Sequence, residues 1–172
     1  MKIADFDPEF VRVANLTSRA KGAVGSKALV PQFVEKIAGP KDSILDYGAG
    51  KHAAHTQYLR DKGYNVTAYD FGANIDPELH DPAALKKKYN IVFASNVLNV
   101  QSSRAMLAMT LDQIKSVLAS GGQFIGNLPM SPRKATDIDS AYVQGELENR
   151  FSTVQRIGGT KQAPVFLAKN PK

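Results

Sequence analysis

Apolar runs of strand length alternate along this chain with stretches of helical periodicity, and the first two runs end at a carboxylate. Ser43-Ile44-Leu45-Asp46-Tyr47 is followed by the turn Gly48-Ala49-Gly50, and residues 52–62 then take a helical pattern closed by Gly63. Asn65 to Asp70, NVTAYD, alternates like a strand and again ends in an acid. Tyr89 to Val100, YNIVFASNVLNV, opens as an almost continuous β-type run, the pattern of a strand buried on both faces. A helix between successive strands must cross over and cover a face of the sheet, which makes neighbouring strands parallel. The pattern therefore predicts an open, doubly wound α/β sheet with ligands at the carboxyl ends of its strands.

The remaining segments fit that plan. Residues 29–38 place Leu29, Phe33 and Ile37 on one helical face, with Pro31 in the first turn and Gly39-Pro40 as a stop. Phe71 to Asp81 is polar and interrupted by Gly72 and Pro77, and Pro82 is read as starting a short helix to Lys88. Ser102 or Ser103 caps a helix whose stripe is Leu107, Leu111, Ile114 and Leu118, ending at Gly121-Gly122. Gln123 to Leu128 is a further strand, and residues near 140–150 a helix with Val143 and Leu147 inward. Residues 153–157 and 164–168 form a closing hairpin around Gly158-Gly159, with no helix between them and hence antiparallel. No repeat or linker divides the chain, so it reads as one domain.

Composition bounds the function. Apolar residues at 43% and charged residues at 22% are those of a globular domain. No run is long enough for a membrane span and the first residues are acidic, so the expectation is a soluble, cytoplasmic protein without a membrane partner. The chain has no cysteine, which excludes disulfides, thiol nucleophiles and thiolate metal sites. A formal charge of +6 tilts the chain weakly toward polyanions, nucleic acid included. Oligomeric state is not readable.

Chemistry concentrates at Asp46-Tyr47-Gly48-Ala49-Gly50 and at Asp70, 24 positions beyond Asp46. Glycines at a strand-to-helix turn let the backbone approach a ligand, and an acid at the next strand end can accept hydrogen bonds from ribose hydroxyls. For Asp46 a turn-forming or helix-capping role is the alternative, and for Asp70 a solvated strand end. A dinucleotide loop would need a third glycine where Ala53 stands, and Asp46 would repel a pyrophosphate while suiting an amino group. A phosphate loop fails because His52 replaces the magnesium-binding Ser or Thr after Lys51 and Leu45 replaces the first glycine.

In ILDYGAG, VTAYD, NIVFASNVLNV and the helix ending LASGG before QFIGNL, the sequence resembles the class I S-adenosylmethionine-dependent methyltransferases across residues 29–128. It departs from their first motif at His52, where a third glycine is common. The resemblance implies a Rossmann-like, mostly parallel seven-stranded sheet with an antiparallel C-terminal edge hairpin. It also implies a single domain over 1–172, with residues 1–28 a substrate-side extension and 29–172 the core. S-adenosylmethionine would be the cofactor: Asp46, Gly48 and Gly50 around its methionine and ribose, Asp70 on the ribose diol, Phe71 against the adenine, Ser95 and Asn96 facing the acceptor. The implied activity is methyl transfer to an unidentified acceptor, nucleic acid among the candidates. The alternatives are a cofactor-cleaving enzyme on the same scaffold and a noncatalytic nucleoside- or nucleic-acid-binding module.

Other residues carry weaker signals. No catalytic base is assigned; His52 and His55, three apart, share a helical face at the cofactor site and are candidates. His80 with Asp76, Glu78 and Asp81 lacks a metal-ligand spacing, so no metal is expected and the three histidines read first as helix-surface or cleft-lining residues. Asn127-Leu128-Pro129-Met130 matches only in part the Asn-Pro-Pro-aromatic motif of amino-group nucleic-acid methyltransferases and reads as a strand-end loop on the acceptor side. Two basic groups, Arg12, Arg19, Lys21 and Lys27 near the start and Arg133-Lys134 later, are expected to steer an anionic acceptor. Gly25-Ser26-Lys27 resembles a Ser-Lys pair of methyltransferase-like proteins associated with DNA modification.

Overall fold

Alternating side chains on the strands decide which helix covers which face, and the computed structural model, which describes residues 28–70, 74–131 and 133–172, shows both faces covered. The strands are β1 (Ser43–Tyr47), β2 (Asn65–Tyr69), β3 (Tyr89–Ala94), β4 (Leu118–Asn127), β5 (Phe151–Gly159) and β6 (Pro164–Pro171). The helices are α1 (Leu29–Ile37), α2 (Ala54–Asp61), α3 (Arg104–Ser116) and α4 (Ser140–Glu148). Ile44, Ile91, Phe93, Ile125, Val165 and Leu167 pack with Val30 and Val34 of α1 and Leu59 of α2. The intervening residues Leu45, Tyr47, Val92, Ala94, Phe124 and Phe166 pack with Leu107, Leu111 and Ile114 of α3 and Val143 and Leu147 of α4. This is the doubly wound arrangement.

Among the described residues the sheet has six strands in the order β2-β1-β3-β4-β6-β5, one fewer than expected. β2, β1, β3 and β4 pair in parallel, and β6 enters antiparallel between β4 and β5. Between β2 and β3 the chain is polar and broken by Gly72, Pro77 and Pro82, a composition that does not favour a further strand. Among the described residues there, only a short 3₁₀ turn, Ala84–Lys86, forms, which replaces the helix expected from Pro82 and leaves β2 at the sheet edge. The antiparallel hairpin forms, with the later strand inside and β5 at the opposite edge, but Gly158-Gly159 pair within β5 and the turn falls at 160–163, closed by Thr160 N–H to Ala163 O at 3.0 Å.

Several boundaries moved. α1 buries Val30, Pro31 and Val34, while Leu29 of the expected stripe is 49% exposed and Phe33 and Ile37 flank the core. Two adjacent apolar stripes compete on that helix, and the β-branched valines face the sheet. α3 starts where Ser103 accepts a hydrogen bond from the Met106 N–H at 3.0 Å, but it stops at Ser116. Leu118 and Gly121-Gly122 therefore belong to β4, whose pairing with β3 is irregular until Gln123 meets Ile91. α2 begins at Ala54, so His52 precedes it. Its end is closed by bonds from Gly63 N–H to Arg60 O and from Tyr64 N–H to Leu59 O. No helix of the described residues is long and apolar enough to cross a membrane.

Candidate functional site

The parallel strands β1, β2, β3 and β4 all end at one rim, and there the loop after β1 meets the end of β2. Gly48 and Ala49 N–H groups both donate to Tyr69 O at 2.9 Å. Gly50 N–H donates to Asp70 Oδ2 at 2.7 Å, so the glycine loop and the distant acid converge directly. Gly48 has φ 75°, and a Cβ on it would lie 2.6 Å from Val97 Cγ2, so both backbone conformation and space require glycine. That contact brings the segment just after Ser95-Asn96 against the loop. Gly50 has φ 81° with nothing within 4 Å of its Cβ position, which leaves open space on the outer side of the loop.

Asp46 is fixed by alternation. It falls on the same face as Ile44, beneath the start of α2, where its Oδ2 accepts from Thr56 Oγ1 at 2.7 Å. At 1% exposure its carboxyl is pushed up to about 7, first by burial and then by the charge of Asp70, against the lowering effect of the Thr56 hydroxyl. Asp70 itself is 4% exposed. Two buried acids within electrostatic reach of each other make a place that a cation would relieve. Asp46 thus also ties β1 to α2, a structural role that the sequence left open beside the ligand role.

At the ends of β3 and β4 two amides pair reciprocally. Asn96 N–H donates to Asn127 Oδ1 at 2.8 Å, and Asn127 Nδ2 donates to Asn96 Oδ1 at 2.9 Å. Asn96 holds φ 59° and Ala53, just before α2, φ 47°. The left-handed conformation costs a residue such as Ala53 about 1–2 kcal/mol, and strain of this kind gathers at ligand sites, whereas asparagine adopts it readily.

Of the residues expected at the site, Asp46, Gly48, Gly50, Asp70, Ser95 and Asn96 lie on this rim. Phe71 lies outside the described residues, as do the N-terminal extension, the basic residues 12–27 and the Gly25-Ser26-Lys27 turn. His52 and His55 do not share a face: His52 is exposed in the loop, whereas His55 is buried in the first turn of α2 and its imidazole is pushed toward the neutral form by desolvation. Of the expected pair Arg133-Lys134, Arg133 is half-buried and anchored to the backbone, while Lys134 is exposed. The Arg133 guanidinium donates to the backbone carbonyls of Pro129 (2.9 Å), Leu128 (3.2 Å) and Gln162 (2.5 Å), clamping the chain after β4 to the β5–β6 turn. Among the described residues, no group of three or more His, Asp or Glu is placed to hold a metal ion.

Sequence reasoning missed two features. The Asn96–Asn127 pair joins strand ends 31 residues apart, and His80, expected to be a surface or cleft-lining histidine, reaches Gly50 O at 2.7 Å. Neither contact leaves a local signal, because each depends on the packing of separate crossovers.

Solved structures share this architecture at low identity. A methyltransferase from Bacteroides fragilis, determined with S-adenosylhomocysteine, matches with a TM-score of 0.65 at 13% identity, covering 95% of this chain and 94% of its own. Magnesium protoporphyrin IX methyltransferase from Synechocystis, with bound S-adenosylmethionine, gives 0.62 at 16%, covering 97% and 99%. The CurJ carbon methyltransferase gives 0.57 at 19%, covering 81% of this chain, which spans only 51% of that protein. Among curated proteins none matches the chain. In sequence, the family described as the methyltransferase domain matches residues 20–154, a span that holds the glycine loop, Asp70 and both asparagines. With that match over most of its length and the strand-end geometry described above, the chain belongs to the methyltransferase domain family.

Proposed function

We propose that this chain is an S-adenosylmethionine-dependent methyltransferase acting on a small-molecule acceptor. The observation that carries the reading is the 2.7 Å bond from Gly50 N–H to Asp70, which draws the glycine loop and the strand-end acid into one site. The residues suit such a cofactor. Asp70 is placed to accept from ribose hydroxyls, and the buried Asp46 carboxylate favours the cationic methionine end. The open side of Gly50 gives the ligand room.

Bound there, the cofactor supplies a methyl group already activated on a sulfonium. The protein then has to orient the acceptor and exclude water, which can supply much of the rate. The Asn96–Asn127 pair stands at the adjoining strand ends, where paired amides offer hydrogen bonds without added charge. A small acceptor is favoured over nucleic acid because the structural neighbours include a carbon methyltransferase and a protoporphyrin methyltransferase.

Calorimetric titration tests the cofactor, with binding of S-adenosylmethionine and S-adenosylhomocysteine expected and none of NAD. Methyl-labelled cofactor incubated with separate small-molecule, protein and nucleic-acid pools tests the acceptor. Label in the nucleic-acid pool alone would overturn the small-molecule reading, and cofactor loss without any acceptor would assign a cleaving enzyme instead.

A further inference from the structure

Gly50 has no packing partner at its Cβ position, so the tip of the loop is held by polar bonds. Its N–H is bound by Asp70, and its carbonyl accepts from Ala53 N–H at 3.3 Å and meets His80 Nε2 at 2.7 Å. The His80 ring is oriented from its own turn. Asp76 N–H donates to His80 Nδ1 at 2.9 Å, which makes Nδ1 an acceptor and leaves the proton on Nε2, facing Gly50 O. That turn is itself braced. Leu79 and His80 N–H groups reach Asp76 O at 2.9 and 2.7 Å, Glu78 N–H reaches Asp76 Oδ1 at 3.0 Å, and Asp81 N–H reaches Ala68 O on β2 at 2.8 Å.

We infer that His80, buried at 3% exposure, is a positioning residue that sets the glycine loop against Asp70 and thereby tunes affinity for the adenosyl ligand. Asp70 and His80 close on the two polar groups of a single glycine, so the end of β2 and the turn at 76–81 are both tied to the loop. The inference rests on the cofactor reading above for its ligand, but the positioning itself can be read without one.

Two substitutions separate the two bonds of the ring. His80→Gln can still place an amide N–H on Gly50 O while losing the Nδ1 acceptor; His80→Asn can still accept from Asp76 N–H but is too short for the loop. Thermal melts of the two variants show whether each costs similar stability. Hydrogen exchange at the Gly50 amide reads positioning directly: His80→Asn is expected to raise its rate roughly tenfold or more, and His80→Gln to stay near the native rate. Titration with S-adenosylhomocysteine is expected to weaken roughly tenfold in His80→Asn and to be largely restored in His80→Gln. Equal Gly50 protection in native protein and His80→Asn would overturn the inference whether or not the ligand binds, and so would equal affinities in both variants. If Gly50 loses protection in His80→Asn while native protein fails to bind the ligand, positioning stands and the cofactor reading falls.

Discussion

Asp46→Asn should stabilise the protein above neutral pH while weakening its ligand. The native carboxyl is 1% exposed and pushed from 3.8 to about 7, chiefly by burial. A carboxyl raised on folding binds more protons when folded, so stability is greatest below the unfolded value and is lost as pH rises from about 4 to about 7. A gap of roughly three units at about 1.4 kcal/mol each sets an upper bound of about 4 kcal/mol on the penalty at pH 8. Asparagine keeps an oxygen for the Thr56 hydroxyl and removes the charge, but its new N–H₂ group gives back about 1–3 kcal/mol if left without a partner. The net expectation at pH 8 is a gain of about 1–3 kcal/mol, shrinking to zero or a loss at pH 4. Urea unfolding followed by circular dichroism at pH 4, 6 and 8 measures this, with m unchanged. In the same variant, S-adenosylhomocysteine should bind roughly tenfold or more weakly at pH 8, the worth of a hydrogen bond to a charged group. Parallel stability profiles for native and variant protein between pH 4 and 8 would refute the argument, because the buried charge would then carry no penalty.

Three further outcomes follow from named contacts. Gly48→Ala should cost about 1–2 kcal/mol for the left-handed conformation and about 1–3 more for the clash with Val97; adding Val97→Ala should recover part of the second amount, whereas Gly50→Ala should show only the first. Equal costs at the two glycines in urea unfolding would refute the packing account. Asp70→Ala should weaken S-adenosylmethionine and S-adenosylhomocysteine alike in calorimetry; a folded variant with unchanged affinity would place the ribose elsewhere. Arg133→Gln should lower unfolding stability by about 1.5–3 kcal/mol by releasing charge-assisted bonds to three carbonyls, and a loss under about 0.5 kcal/mol would mean that the side chain is free for an anionic partner.

What could be read from the sequence was whatever is periodic or local. The doubly wound layout follows from strand runs such as NIVFA and from the helix with Val143 and Leu147, because burying an apolar stripe leaves few alternatives. The glycine turn and Asp70 were legible because each sits at a strand end, and parallel strands carry their ends to one rim. The sheet count was not, since the expectation of seven strands came from family likeness and the crossover between β2 and β3 lacks an apolar run to supply one. Helix ends also escaped: nothing local made Leu118 a strand residue until Gly121-Gly122 joined β4.

The sequence alone determined that an acid precedes the glycine loop; the tertiary structure decided that this acid lies under α2 against Thr56, where burial changes its ionisation. It also anchored Arg133 to backbone carbonyls, joined Asn96 to Asn127 and set His80 Nε2 against Gly50 O. Periodicity records which face of an element is apolar, whereas polar contacts between elements depend on where packing brings each side chain, and chain spacing carries no trace of that.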